Sequence, residues 1–169
     1  MADREQVQVL LRDLGGLVGL PELGLGADGH CSLVFDGQVE VDLAYAEGDD
    51  RLTVAALLGR LPVDAPAERY LELLDANFFW RGTEGATLGV ERDSGTVVLL
   101  EALPLAGLDI GGLERHLDVF VATAETWVQA LAAGGGAADG QAAIAPAGPG
   151  FMIRARPMTM VLLRSSIDA

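Results

Sequence analysis

The sequence predicts an α+β domain in which helices pack on an antiparallel sheet. Three observations carry this expectation: an amphipathic stretch at the amino end, two strand-turn-strand patterns separated by a second helical pattern, and a long helical pattern ending near residue 131. The resulting order is α-β-β-β-α-β-β-α, and a sheet of this kind buries its apolar face under helices.

Val7, Leu10, Leu11, Leu14, Leu17 and Val18 recur at spacings of three and four, so residues 3–18 form an amphipathic helix closed by Gly19 and Pro21. After a Gly-rich stretch over 24–29 come Cys31–Phe35 and Val39–Tyr45, joined by Asp36-Gly37, a strong hairpin signal. In the second run Val39, Val41, Leu43 and Tyr45 alternate with Glu40, Asp42 and Ala44, the period of a half-buried strand. A third strand spans Leu52–Leu58, after the acidic turn Gly48-Asp49-Asp50. Pro62 ends that region, and Asp64 followed by Pro66 marks a helix start with Asp64 as N-cap. Tyr70, Leu71, Leu74 and Phe78 form the apolar stripe of this second helix. Ala86–Val90 and Thr96–Leu103 form a second hairpin around Arg92-Asp93-Ser94-Gly95. From Asp109 onward Leu113, Leu117, Phe120, Ala124, Trp127 or Val128, and Leu131 give the longest helix.

The domain is therefore expected to occupy residues 1–133. Residues 134–150 are almost entirely Gly, Ala and Pro, too poor in bulky apolar groups to offset the entropy of ordering them, and are expected to be a flexible linker. Residues 151–169 form an apolar, Met-rich tail with Arg154, Arg156 and Arg164, too short to cross a bilayer and suited to docking or to adding a strand.

Composition removes several function classes. Half of the 169 residues are apolar, enough for a genuine core. Twenty-five acids face 11 basic residues, all of them Arg, for a net charge of −14. With no lysine there is no Schiff-base amine and no P-loop lysine. The acidity repels both a phosphate backbone and an anionic membrane, so neither nucleic acid nor membrane is an expected partner. The lone Cys31 leaves no internal disulfide and no multi-Cys metal site. Without a basic-then-apolar leader at the amino end, the expected location is the cytoplasm.

Candidate chemistry is sparse. Gly24-Leu25-Gly26-Ala27-Asp28-Gly29 matches the dinucleotide-binding glycine pattern, but that fingerprint needs a strand before it and a helix after it, and here the order is reversed. Asp28 would also oppose the phosphates. Cys31 lacks a base, because its neighbour His30 points to the opposite face of a strand, and burial as a small apolar side chain explains it better. His116 reads as a partly exposed helix position, and neither histidine has a ligand partner at metal spacing. Glu40 and Asp42 share one strand face, where solvated charge is usual, and Asp49-Asp50 falls in a turn. Trp80 and Trp127 read as core or interface anchors. No cofactor, metal or catalytic residue is expected; an enzyme built on scattered carboxylates would require a concave pocket of perturbed acids.

The segments Leu14-Gly15-Gly16-Leu17-Val18-Gly19-Leu20-Pro21, Cys31–Phe35 with Val41-Asp42-Leu43, and Leu73-Leu74-Asp75-Ala76-Asn77-Phe78 carry a family resemblance, together with Gly85–Val90, Asp93-Ser94-Gly95 and the last helix with Phe120 and Trp127. Across about residues 5–131 the chain resembles class I type III secretion chaperones of the CesT (Tir chaperone) family. The resemblance implies a small acidic homodimer of the bacterial cytoplasm that holds the amino-terminal segment of an effector in non-globular form for export. Its implied partners are the effector, a second copy of the chain and the export apparatus ATPase. It implies a dimer interface centred on Tyr70, Leu74, Phe78, Leu88 and Val90. Extended to particular positions, it implies an effector groove of Leu11, Leu14, Val18, Leu33, Phe35 and Val41, although the same residues would equally serve as core. A regulatory module of the same fold, sequestering a transcription-control protein, is the alternative.

Overall fold

A computed structural model describes residues 4–35, 38–46, 48 and 50–134. The chain runs α1 (Arg4–Val18), β1 (His30–Phe35), β2 (Val39–Ala44), β3 (Arg51–Arg60), α2 (Ala67–Asn77), a 3-10 turn (Phe78–Trp80), β4 (Thr87–Val90), β5 (Thr96–Pro104) and α3 (Ile110–Ala133). This is the order expected from the sequence. The five strands form one sheet in the order β1-β2-β3-β5-β4, with every pairing antiparallel. β1 and β4 are its two edges.

The strand period of two sorts the side chains. Cys31, Leu33, Val39, Val41, Leu43, Leu52, Val54, Ala56, Leu88, Val97 and Leu99 point to one face and share a single core with the buried faces of all three helices. From α1 these are Val7, Leu10, Leu11 and Leu14, and from α3 they include Leu113, Leu117, Phe120, Ala124 and Leu131. α2 contributes only Leu73 and Ala76. The other sheet face carries a small separate cluster of Ala55, Val98, Leu57 and Leu100. Among the described residues no helix covers it.

The helix ends follow local chemistry. Gly19 takes φ 79° and lets the Leu20 N–H donate back to Gly15 O at 2.6 Å, a Schellman-type closure of α1. Gly15 must itself be small, because an added Cβ would run into the Leu20 carbonyl oxygen and to within 2.8 Å of Leu23 Cβ. Asp109 caps α3, accepting from the Gly112 N–H at 2.7 Å. The start expected for α2 is corrected: Pro66, not Asp64, is the N-cap, without any side-chain cap bond. Proline presets the backbone angle, and the helix begins one residue after it. Leu131 is the last buried residue described and Gly134 caps α3. The linker and tail expected over 134–150 and 151–169 lie, Gly134 apart, outside the described residues, as does the Asp36-Gly37 turn.

Candidate interaction surfaces

The residues weighed for catalysis occupy structural positions. The glycine stretch is a loop between α1 and β1, tied to α1 by Gln8 Oε1, which accepts from the Leu25 N–H at 3.0 Å, and by Arg4, which donates to Gly26 O. Cys31 is buried, and burial pushes its thiol up to about 11, far from a thiolate at neutral pH. His116 Nδ1 lies 3.2 Å from Glu101 Oε1, joining α3 to β5. Burial raises the Glu101 carboxyl above its ordinary range, with His116 opposing. Among the described residues no three His, Cys, Asp or Glu side chains group so as to hold a metal ion.

Asp42 departs from the solvated strand face expected of it. Glu40 is exposed, but Asp42 is buried beside Ser32, its register partner, whose hydroxyl donates to Asp42 Oδ1. Desolvation raises its carboxyl above the ordinary range, against the pull of Ser32 and His30. Glu40 is raised too, by partial burial and by Asp42.

The two sheet edges differ. On β4 the Asn77 side chain stands in for a missing strand: its Nδ2 donates to Leu88 O at 2.9 Å and its Oδ1 accepts from Leu88 N–H at 2.8 Å. On β1, Gly29 O accepts from Tyr45 N–H and Phe35 O from Gln38 N–H, so these residues face β2, whereas His30 turns away toward Gly26 and Asp28. The same alternation directs the N–H and C=O of Ser32 and Val34 off the sheet. No described element pairs with them. Such an edge is a template for a further strand.

The second surface lies on α2. Leu73 and Ala76 face the core, so the stripe Tyr70, Leu71, Leu74 and Phe78 points to solvent, with Leu74 62% exposed. The chain then kinks. Phe79 and Trp80 both adopt φ 53° and Glu84 φ 52°, left-handed values rare outside glycine. The kink carries Phe79 (76% exposed) and Trp80 outward beside Phe78, which stacks edge-on to Phe79 with ring centroids 4.6 Å apart. Behind it the structure is pinned by Gly82 N–H to Ala76 O at 3.1 Å, and by Trp127 Nε1 donating to Gly82 O at 2.8 Å. Arg81 joins Asp75 at 2.7 Å and lies 5.2 Å from the Phe78 ring centroid. Exposed apolar surface of this size is unusual for a surface helix.

Of the residues expected at a dimer interface, Tyr70, Leu74 and Phe78 are exposed, Val90 is half-buried and Leu88 is buried behind Asn77. Leu71 and Phe79 belong to the same patch without having been expected at an interface, and Trp80, expected as a core or interface anchor, is exposed in it. Of the expected groove, Leu11, Leu14, Leu33 and Val41 are filled into the core, leaving Val18 and Phe35 half-buried at its margin. Only those two are accessible to a guest.

Comparison with known proteins gives a consistent set of relatives. The sequence profile described as the Tir chaperone protein (CesT) family matches residues 9–128. A Chlamydia pneumoniae protein is 30% identical over 130 residues, covering 76% of this chain and 98% of its own. The transcriptional anti-antiactivator ExsC of Pseudomonas aeruginosa is 29% identical over 126 residues, covering 75% of this chain and 86% of its own. The crystal structure of the ExsC–ExsE complex superposes with a TM-score of 0.64 at 28% identity, over 76% of this chain and 96% of the other. The HopA1–SchA chaperone–effector complex shares the fold, with a TM-score of 0.62 at 21% identity over 76% of this chain and 99% of the other.

Proposed function

The chain belongs to the Tir chaperone protein (CesT) family and is a type III secretion chaperone, and we propose that it works as a cytoplasmic homodimer that receives the amino-terminal segment of an effector as an extended strand along β1. The observation that carries this reading is the asymmetry of the sheet edges. On the four-residue β4, Asn77 takes up the outward N–H and C=O of Leu88, whereas Ser32 and Val34 leave main-chain donors and acceptors directed outward on β1. An added strand gains affinity from main-chain hydrogen bonds and selectivity from alternate side chains. Its outer side chains meet Val34 and the open sheet face, and its inner ones Phe35, with Val18 the other accessible residue of the expected groove. Nothing needs to be hydrolysed, and no catalytic role is assigned. The export apparatus ATPase is the partner that would take over the loaded effector.

The α2 stripe and aromatic kink suit a two-fold contact with a second copy, centred on Tyr70, Leu74 and Phe78 and extended by Leu71, Phe79 and Trp80.

Val34→Pro tests the β1 reading, because it removes an outward N–H and no bond to β2. The variant should melt within a few degrees of wild type and fail to capture the effector's amino-terminal segment in pull-down. Capture at wild-type level by the folded variant would refute strand addition at β1. A second reading, favoured by the 29% identity to an anti-antiactivator, gives the same edge to a transcription-control protein. Deleting the gene separates the two: loss of one effector from the secreted fraction at unchanged transcript level supports escort, and altered transcript level supports sequestration.

A further inference from the structure

The open face beside β1 has a specific chemistry. Glu40 and Asp42, two residues apart on β2, stand about 6.5–7 Å from each other on one face. Between Asp42 and the free edge lies Ser32, a small side chain, with His30 two residues before it on the same face of β1. Asp42 is buried with the Ser32 hydroxyl as its hydrogen-bond donor, and burial raises its carboxyl, with Ser32 and His30 opposing. On the side of this pair away from the edge, Ala55 of β3 stands opposite Asp42 and packs with the apolar Leu57, Val98 and Leu100, while Val34 is the apolar residue of the same face on β1 itself. A ligand complementary to this surface is an extended segment that mixes apolar side chains with two cations spaced two residues apart.

The chain contains such a segment beyond the described domain. Residues 151–164 read Phe-Met-Ile-Arg-Ala-Arg-Pro-Met-Thr-Met-Val-Leu-Leu-Arg and hold three of the four methionines, adaptable side chains for an irregular apolar surface. Residues 151–169 carry three Arg and one Asp, a net +2, so residues 1–150 account for −16 of the total −14. In an extended segment Arg154 and Arg156 fall on the same side, at the spacing of Glu40 and Asp42. A strand added outside β1 lies about 9.6 Å from β2, two strand spacings, a gap that an arginine leaning over Ser32 can span.

The connection is long enough. Residues 135–150 are 16 in number, rich in Gly and Ala, with an r.m.s. span of about 22 Å if they behave as a random coil. A domain of this size has a radius of gyration of about 14 Å, so the β1 edge is within reach. A tether of this kind gives an effective concentration on the order of millimolar.

We propose that residues 151–164 dock in cis along the β1 edge, with Arg154 and Arg156 paired to Glu40 and Asp42, so that an effector segment must displace the chain's own tail. The inference rests on the β1-edge reading above and adds its regulation: the tail keeps an aggregation-prone edge covered and sets an affinity threshold that weak guests do not pass.

The test uses the full-length chain and needs no effector. Hydrogen exchange at the Ser32 and Val34 amides is compared between wild type and the R154E/R156E double variant, with binding of a labelled synthetic peptide of residues 151–164 measured to both. Exchange at these two amides should quicken at least tenfold in the variant, and the peptide should bind the variant at least tenfold more tightly than wild type. Adding Glu40→Arg, an exposed position, to the double variant should restore the slow exchange. Equal exchange in both chains, equal peptide binding, or protection that disappears on dilution overturns docking in cis. If exchange is equal while Val34→Pro still abolishes effector capture, the tail proposal falls and the β1 reading stands. If the tail protects β1 while Val34→Pro captures normally, docking of the tail stands, and the β1 reading falls together with displacement of the tail by an effector.

Discussion

Removing the Asn77 amide should lower the stability of the domain measurably. Asn77→Ala deletes two hydrogen bonds, of 2.9 and 2.8 Å, and leaves the part-buried N–H and C=O of Leu88 without their partner. A net hydrogen bond contributes about 1 kcal/mol, and an orphaned buried group adds a penalty of about 1–3 kcal/mol, so a loss of about 3 kcal/mol is expected. For about 130 ordered residues the unfolding entropy is about 0.27 kcal/mol/K, which converts that loss to a fall of about 11 °C in Tm. The assay is calorimetry at fixed protomer concentration, because association also moves Tm. Asn77→Asp keeps the acceptor and loses the donor, and should fall between the two. A Tm within 2 °C of wild type for Asn77→Ala would show that water replaces the amide and that β4 is not closed by it.

Three further outcomes follow from the geometry. Gly15→Ala should destabilise the fold by about 1–3 kcal/mol, typical of overpacking, because Leu20 and Leu23 occupy the space of the new methyl; an unchanged urea midpoint would refute the close approach. Leu74→Arg and Phe78→Arg should yield folded monomers in sedimentation, since both side chains are exposed in the single chain; a dimer that persists in both variants would place the interface elsewhere. For Cys31, a folded-state thiol raised to about 11 from about 9 contributes stability present below pH 9 and lost as pH rises toward 11, up to about 2.7 kcal/mol. Cys31→Val should lack that alkaline loss, so an identical decline in both chains between pH 9 and 11 would refute it.

The helical and strand periods made the element order legible, and Asp109 announced α3 because a cap is a local event. The α2 stripe was legible as apolar but not as outward-facing: Tyr70, Leu71, Leu74 and Phe78 have the same spacing whether they cover a sheet or await a second copy. The expected groove at Leu11, Leu14, Leu33 and Val41 met the opposite fate for the same reason. Asp42 resembled Glu40 by alternation, and only the surroundings of β2 separate a buried acid from a solvated one. The Asn77 clamp joins residues 11 apart through side-chain geometry, and no pattern of residue types encodes that. The left-handed Phe79 and Trp80 were invisible because nothing in an aromatic pair signals such a backbone, and the contacts that hold it there are tertiary.

That left-handed pair also ranks the domain's parts by how readily they open. Each such residue costs about 1–3 kcal/mol, so with Glu84 the stretch from 79 to 84 holds on the order of 3–9 kcal/mol of strain, offset only by contacts around it. Local opening should begin in this segment. Because Asn77 directly precedes it, each opening loosens the clamp on β4 and exposes the second edge for a moment. A partner seated on Phe78, Phe79 and Trp80 would suppress that fluctuation, so association at the aromatic kink would be thermodynamically linked to protection of the β4 edge, and a chain without such a partner would be the one at risk of pairing β4 with the wrong strand.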